Sequence, residues 1–104
     1  MIDGKKLVEL SGYFTIIHQT KGRVRVRVDS KIKQREEKVT LKDIEDLPKK
    51  ISGIKSIKLN MIVGSITIEY DNQIFPDSLW VDLVEGKNSE YLVEMINKLI
   101  KEKI

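Results

Sequence analysis

This chain of 104 residues has no cysteine, one histidine, one tryptophan and two prolines. Without thiols it builds no disulfide, no thiolate metal site and no cysteine nucleophile, so an oxidising compartment is not indicated and the cytoplasm is the default expectation. A single histidine is too few for a histidine cluster of the kind that holds zinc. No stretch approaches the roughly 18 apolar residues of a membrane span, and MIDGKKLVELSGYF lacks the apolar run of a secretion signal. Membrane insertion is therefore not expected.

What is present fits one small globular domain, with 40% hydrophobic and 34% charged residues. A formal charge of +3 allows acidic partners, but 16 Asp and Glu dilute the field. Sequence-independent binding to nucleic acid calls for a denser basic surface.

The strongest pattern is HQTKGRVRVRV, residues 18 to 28. Strict alternation in a strand puts Val24, Val26 and Val28 on one face and Arg23, Arg25 and Arg27 on the other. With FTIIHQ before it and Gly22 in the loop, the segment reads as a β-hairpin. A three-residue loop would set Phe14, Ile16 and His18 on the valine face, and a two-residue loop would set them with the arginines. The first is favoured because it buries Phe14 and Ile16.

Residues 29 to 38, DSKIKQREEK, read as a solvated loop or helix start. Thr40 and Asp43 resemble a capping box, Val39 and Ile44 a hydrophobic staple, and a helix from about 41 would bury Leu41, Ile44, Leu47 and Ile51. Pro48 should kink it or end its regular part. Two strands follow, 54–60 with Ile57 and Leu59 inward and 65–71 with Ile66, Ile68 and Tyr70 inward, joined by a turn in which Gly64 takes positive φ. FPDSLWVDLVEG predicts a short helix with Pro76 in its first turn and Phe75, Leu79, Trp80 and Leu83 inward. Residues 88–103 predict a C-terminal helix with a wide stripe of Leu92, Val93, Ile96, Leu99 and Ile100, and an exposed Glu94–Lys98 pair. Residues 1–12 show no clear period and read as a partly mobile extension to a single domain over 13–104.

Strand, helix, strand, strand, helix is the frame of a ferredoxin-like α+β sandwich. Within it H18-QTK-G22-R23-V24-R25, I51-S52-G53-I54, N60 with G64-S65, and Y70-D71 follow in order. Together, from about His18 to Leu83, they resemble the second type of heavy-metal-associated domain, a relative of copper chaperones and of the metal-binding domains on P-type ATPases. The resemblance implies metal handling, but the chaperones hold soft metal with a CxxC in the loop after the first strand. Here that loop offers no cysteine, histidine or methionine, so copper transfer carries over to none of its residues. The final strand of such a sheet is also missing after Leu83. The hairpin allows Tyr13–Gln19 to take that edge, antiparallel to the arginine strand.

His18 and Met61 are the candidate metal or haem ligands, against the plainer reading of His18 as a hydrogen-bonded strand-end residue. Any cofactor is unidentified; haem or a transition metal is compatible. Arg23, Arg25, Arg27 and Lys58 should share the open sheet face with Thr67 and Glu69, either to bind an anion or acidic partner or simply as a solvated face partly paired to Glu69. Met61, Ile62 and Val63 form an apolar hairpin tip, either a docking surface or a patch covered by a terminal segment. The paired carboxylates Glu36 and Glu37 lie in a charged run, and no nucleophile, base and orienting group stand together, so no catalytic residue is assigned and no enzyme is expected. The expected function is a small binding or adaptor domain in metal or haem handling or beside a transport ATPase. A protein partner is expected, and the wide C-terminal stripe is compatible with a homodimer. The alternative is an oligomeric structural or nucleic-acid-associated module using the arginine face, although no aromatic residue is clearly placed there to stack bases.

Overall fold

A computed structural model describes residues 4–31, 44–60 and 62–100. Its centre is a four-stranded antiparallel sheet of β1 (Phe14–Thr20), β2 (Arg23–Val28), β3 (Ile54–Asn60) and β4 (Ser65–Tyr70), in the order β1-β2-β4-β3. The fold is the expected α+β sandwich. β1 lies at the edge beside β2, where the N-terminal side of the chain was expected to complete the sheet.

The register of the first hairpin departs from both simple alternatives. Thr20 pairs with Arg23, so the loop is the two residues Lys21 and Gly22, with Gly22 at φ 77°. A regular ladder from that turn would carry Phe14 and Ile16 to the arginine face. Instead Ile16 pairs with Val26 and His18 with Arg25, leaving Ile17 as the extra residue of a β-bulge. A bulge resets side-chain parity. Phe14 and Ile16 therefore join the valines as expected, whereas His18 does not: it stands with the arginines. Ile17, released from the alternation, is 46% exposed. Because it adds nothing to either face, deleting Ile17 should close the ladder into a regular hairpin with all other faces preserved. Deleting Thr15 should instead turn Phe14 outward. Cross-strand NOEs between residues 18 and 25 should survive the first deletion, and their loss would contradict the bulge.

One face of the sheet is covered. Val24, Val26, Ile66 and Ile68 are buried against α3 (Asp77–Glu85) and its neighbours, with Leu79, Trp80 and Leu83 pointing inward as their spacing predicts. Pro76 is the N-cap of α3, just ahead of its first turn. Ile44 and Glu45 are helical, Asp46 interrupts the helix, and α2 (Leu47–Lys50) resumes with Pro48 in its first turn, the break that proline's missing donor requires. Thr40, Asp43, Val39, Leu41 and the 32–38 part of the charged loop lie outside the described residues. Gly53 sits at φ 97°, and a Cβ there would stand 2.9 Å from Ile74 Cγ2. Only glycine lets the chain turn into β3 under that side chain.

The N-terminus differs most from expectation. Residues 4–11 are not a mobile extension but α1 (Gly4–Ser11), with Leu7 and Leu10 each 1% exposed. Eight residues do not hold a helix in water by themselves, so tertiary contact must. That contact is with the C-terminal α4 (Ser89–Leu99). The Gly4 N–H donates to Asn97 Oδ1 at 2.8 Å, and a Cβ on Gly4 would stand 2.5 Å from the Val93 carbonyl oxygen. α4 ends at Leu99, short of the expected 103, and Ile100 turns extended to bridge Ile51. Leu92 and Ile96 are buried within the domain, so these two leave no free face for a homodimer.

Candidate functional site

The uncovered face of the sheet carries the polar chemistry. Register places its side chains in three rows across the strands: Thr20, Arg23, Glu69 and Ser56; then His18, Arg25, Thr67 and Lys58; then Thr15, Arg27, Ser65 and Asn60. The sequence-predicted set Arg23, Arg25, Arg27 and Lys58 is thus brought together, and the two-residue turn adds His18 to it. Adjacent residues in a row have Cβ atoms about 4.5–5.5 Å apart, close enough to act on one ligand. His18, Thr20, Arg23, Arg25 and Thr67 line a shallow concavity of about 300 Å³.

The expected pairing with Glu69 is not what occupies this face. Glu69 Oε1 accepts a hydrogen bond from Ser56 Oγ at 2.8 Å, and no ion pair joins it to an arginine among the described residues. Arg25 reaches Ser65 Oγ only at 3.5 Å, a weak contact. The face therefore presents guanidinium groups with most of their donors open.

A second group of polar residues closes the turn end of the sheet, and sequence reasoning missed it. Asp77, in the first turn of α3, accepts at Oδ1 from the Gly22 N–H at 2.9 Å and from the Tyr70 hydroxyl, and at Oδ2 from Asn72 Nδ2 at 3.2 Å. Gln19, set on the core face by the two-residue turn, donates to the Asp77 carbonyl oxygen at 2.9 Å and to Tyr70 Oη at 3.3 Å. Gln19, Gly22 and Tyr70 all belong to the sequence motifs described above, and their partner Asp77 was the unread member.

The Tyr70 hydroxyl and the Gly22 and Asn72 donors, helped by the Lys21 charge, lower the pKa of the Asp77 carboxyl. Burial, then the bond to Asp77 and its charge, push Tyr70 up to about 12. A raised tyrosine pKa stabilises the fold fully below the unfolded value of 10.0, and this contribution is lost as pH rises toward about 12. A lowered carboxylate pKa does the reverse, contributing above the ordinary carboxylate range and failing as pH falls through it. Tyr70→Phe should cost on the order of 1 kcal/mol at neutral pH. Urea midpoints of wild type and variant should converge above pH 11, and a gap that stays constant to pH 12 would contradict this arrangement.

Metal chemistry finds no matching donors here. Among the described residues no group of three or more His, Cys, Asp or Glu could hold an ion. His18 stands beside Arg25 in a row that continues to Lys58, so a bare cation would meet like charge. Met61, the other candidate ligand, lies outside the described residues. Its neighbours on the tip, Ile62 and Val63, are 96% and 52% exposed, so no described residue of either terminal segment covers them. Their N–H groups are both held by Asn60 Oδ1, which fixes the turn.

The fold is thus an α+β sandwich with one helical side and one open, cationic sheet face. The chain belongs to the heavy metal associated domain 2 family, whose model matches residues 7–103. The match takes in α1 from Leu7 onward and all of α4, beyond the stretch from His18 to Leu83 that carried the resemblance. Comparison with curated proteins and with solved structures gave no match in either case. Among the described residues no helix is long and apolar enough to cross a membrane.

Proposed function

We propose that this chain is a non-enzymatic cytoplasmic binding and adaptor domain that engages an acidic ligand or protein partner on its open sheet face, within metal or haem handling or beside a transport ATPase. The middle row of His18, Arg25, Thr67 and Lys58 carries the proposal. Every member can donate a hydrogen bond, two are fixed cations, and the acidic residue in the next row is engaged by Ser56. Family membership supports the setting, while the mismatch of donors speaks against a bare metal ion as the ligand. Haem fits this chemistry better, since one imidazole can serve as an axial base and guanidinium groups pair with propionates.

Nucleic acid is the second reading for a cationic sheet face. It is disfavoured because Phe14, Tyr70, Phe75 and Trp80 are buried on the helical side, leaving those rings unavailable to stack bases.

An absorbance titration with haemin tests the haem branch. A Soret shift saturating near one equivalent is expected, lost in His18→Ala and weakened about tenfold or more in Arg25→Glu/Arg27→Glu, a change of ~1.4 kcal/mol. A spectrum unchanged by haemin, or a shift indifferent to His18→Ala, would rule that branch out.

A further inference from the structure

The concavity at the turn end of the open face is more specific than a cationic surface. We infer that His18, Thr20, Arg23, Arg25 and Thr67 form a subsite for a phosphoryl group, as inorganic phosphate or a phosphate monoester. This rests on the reading of the open face as the binding surface and narrows its ligand.

The bulge at Ile17 is the first support. A two-residue turn sets His18 and Thr20 beside Arg25 and Arg23, whereas an unbulged β1 that kept Phe14 and Ile16 inward would have placed Ile17 and Gln19 there. The extra residue thus replaces an apolar side chain and an amide with an imidazole and a hydroxyl at the mouth of the concavity. Bulges that re-aim side chains concentrate at functional sites.

The donor inventory is the second support. Two guanidinium groups present up to ten N–H donors, two threonines add hydroxyls, and a neutral imidazole adds one N–H more. A carboxylate, with two oxygens and one charge, would leave much of this set unused. A phosphate monoester brings three terminal oxygens and a charge of about −1.5 to −2, and arginine forks match its geometry. No acidic side chain lines the concavity, and Glu69, next to Arg23 in its row, is bonded to Ser56 on the far strand. With about 300 Å³ the space is at the small end of ligand sites and accommodates a phosphoryl head group.

Amide and side-chain NMR shifts of the whole chain, titrated at constant ionic strength with inorganic phosphate, phenyl phosphate and acetate, test the inference. Saturable shifts centred on His18, Arg25 and Thr67 are expected with phosphate or phenyl phosphate, and the stronger of the two identifies the free ion or the monoester. Arg25→Gln should weaken binding about tenfold, while Lys98→Gln at an exposed position of α4 should leave it unchanged. Acetate giving the same shifts, or Arg25→Gln binding phosphate as well as wild type, would overturn the subsite. An oligoglutamate peptide separates the two levels of the account. If it still shifts the arginine rows while phosphate does nothing, the subsite fails and the open-face reading stands; if neither ligand moves them, both fail.

Discussion

Removing residues 1–12 should leave a chain that is largely unfolded at 25 °C. Leu7 and Leu10 are each 1% exposed, and Ser11 is fully buried with its hydroxyl bonded to the Leu7 carbonyl at 2.8 Å. Loss of a buried leucine side chain costs ~2–5 kcal/mol. Two together approach the ~5–15 kcal/mol that holds a domain of this size, and the truncation also uncovers part of α4. Leu10→Ala alone should cost ~2–5 kcal/mol, read from urea unfolding followed by circular dichroism. A truncated chain that unfolds at the full-length midpoint would show that α1 is dispensable.

Trp80→Ala should be the most damaging single substitution in the covered face, at ~3–5 kcal/mol. The indole is fully buried, stacked on Phe75 at 4.5 Å with an interplanar angle of 21°, and 5.5 Å from the Tyr70 ring. These three rings join β4, the segment after it and α3, so a cavity here loosens the support of Asp77 and the turn end of the open face as well. Trp80→Phe should be far milder. The Trp80 Nε1–H finds no acceptor among the described residues, and an unsatisfied buried donor carries a penalty of ~1–3 kcal/mol. Phenylalanine removes that penalty while keeping most of the stacked area, so its net cost should fall below ~2 kcal/mol. Equal losses for Trp80→Ala and Trp80→Phe would mean that the indole N–H is satisfied.

The contrast between these residues explains what the sequence could and could not convey. Phe75, Leu79, Trp80 and Leu83 were legible because a helix after a proline repeats its apolar residues on one face. Leu7 and Leu10 were not, since one pair at a three-residue spacing is no period, and the helix depends on the close approach of Gly4 to Val93. The arginine face was plain in RVRVRV, and the place of β1 followed from the missing last strand. His18 was misplaced for a different reason. Turn length and hydrophobic burial demanded opposite registers, and the chain satisfied both by inserting a bulge, an option that alternation alone does not encode. Asp77 was hidden because it has no pattern of its own: it is a first-turn carboxylate whose partners, Gln19, Gly22, Tyr70 and Asn72, come from two separate stretches. The metal expectation for Met61 concerns a residue outside those described, and that for His18 lacks companion ligands among the described residues.

The central claim is that the uncovered sheet face, and not the helical side or the apolar tip, receives the ligand. Fluorescence anisotropy of a labelled oligoglutamate peptide tests it most directly, with three variants: Arg25→Glu/Arg27→Glu on the face, Lys98→Glu on α4, and Ile62→Ser/Val63→Ser at the tip. The account predicts saturable, salt-sensitive binding that only the arginine double variant weakens, by about tenfold or more. Binding that survives in that variant, or that falls equally with Lys98→Glu, would contradict it.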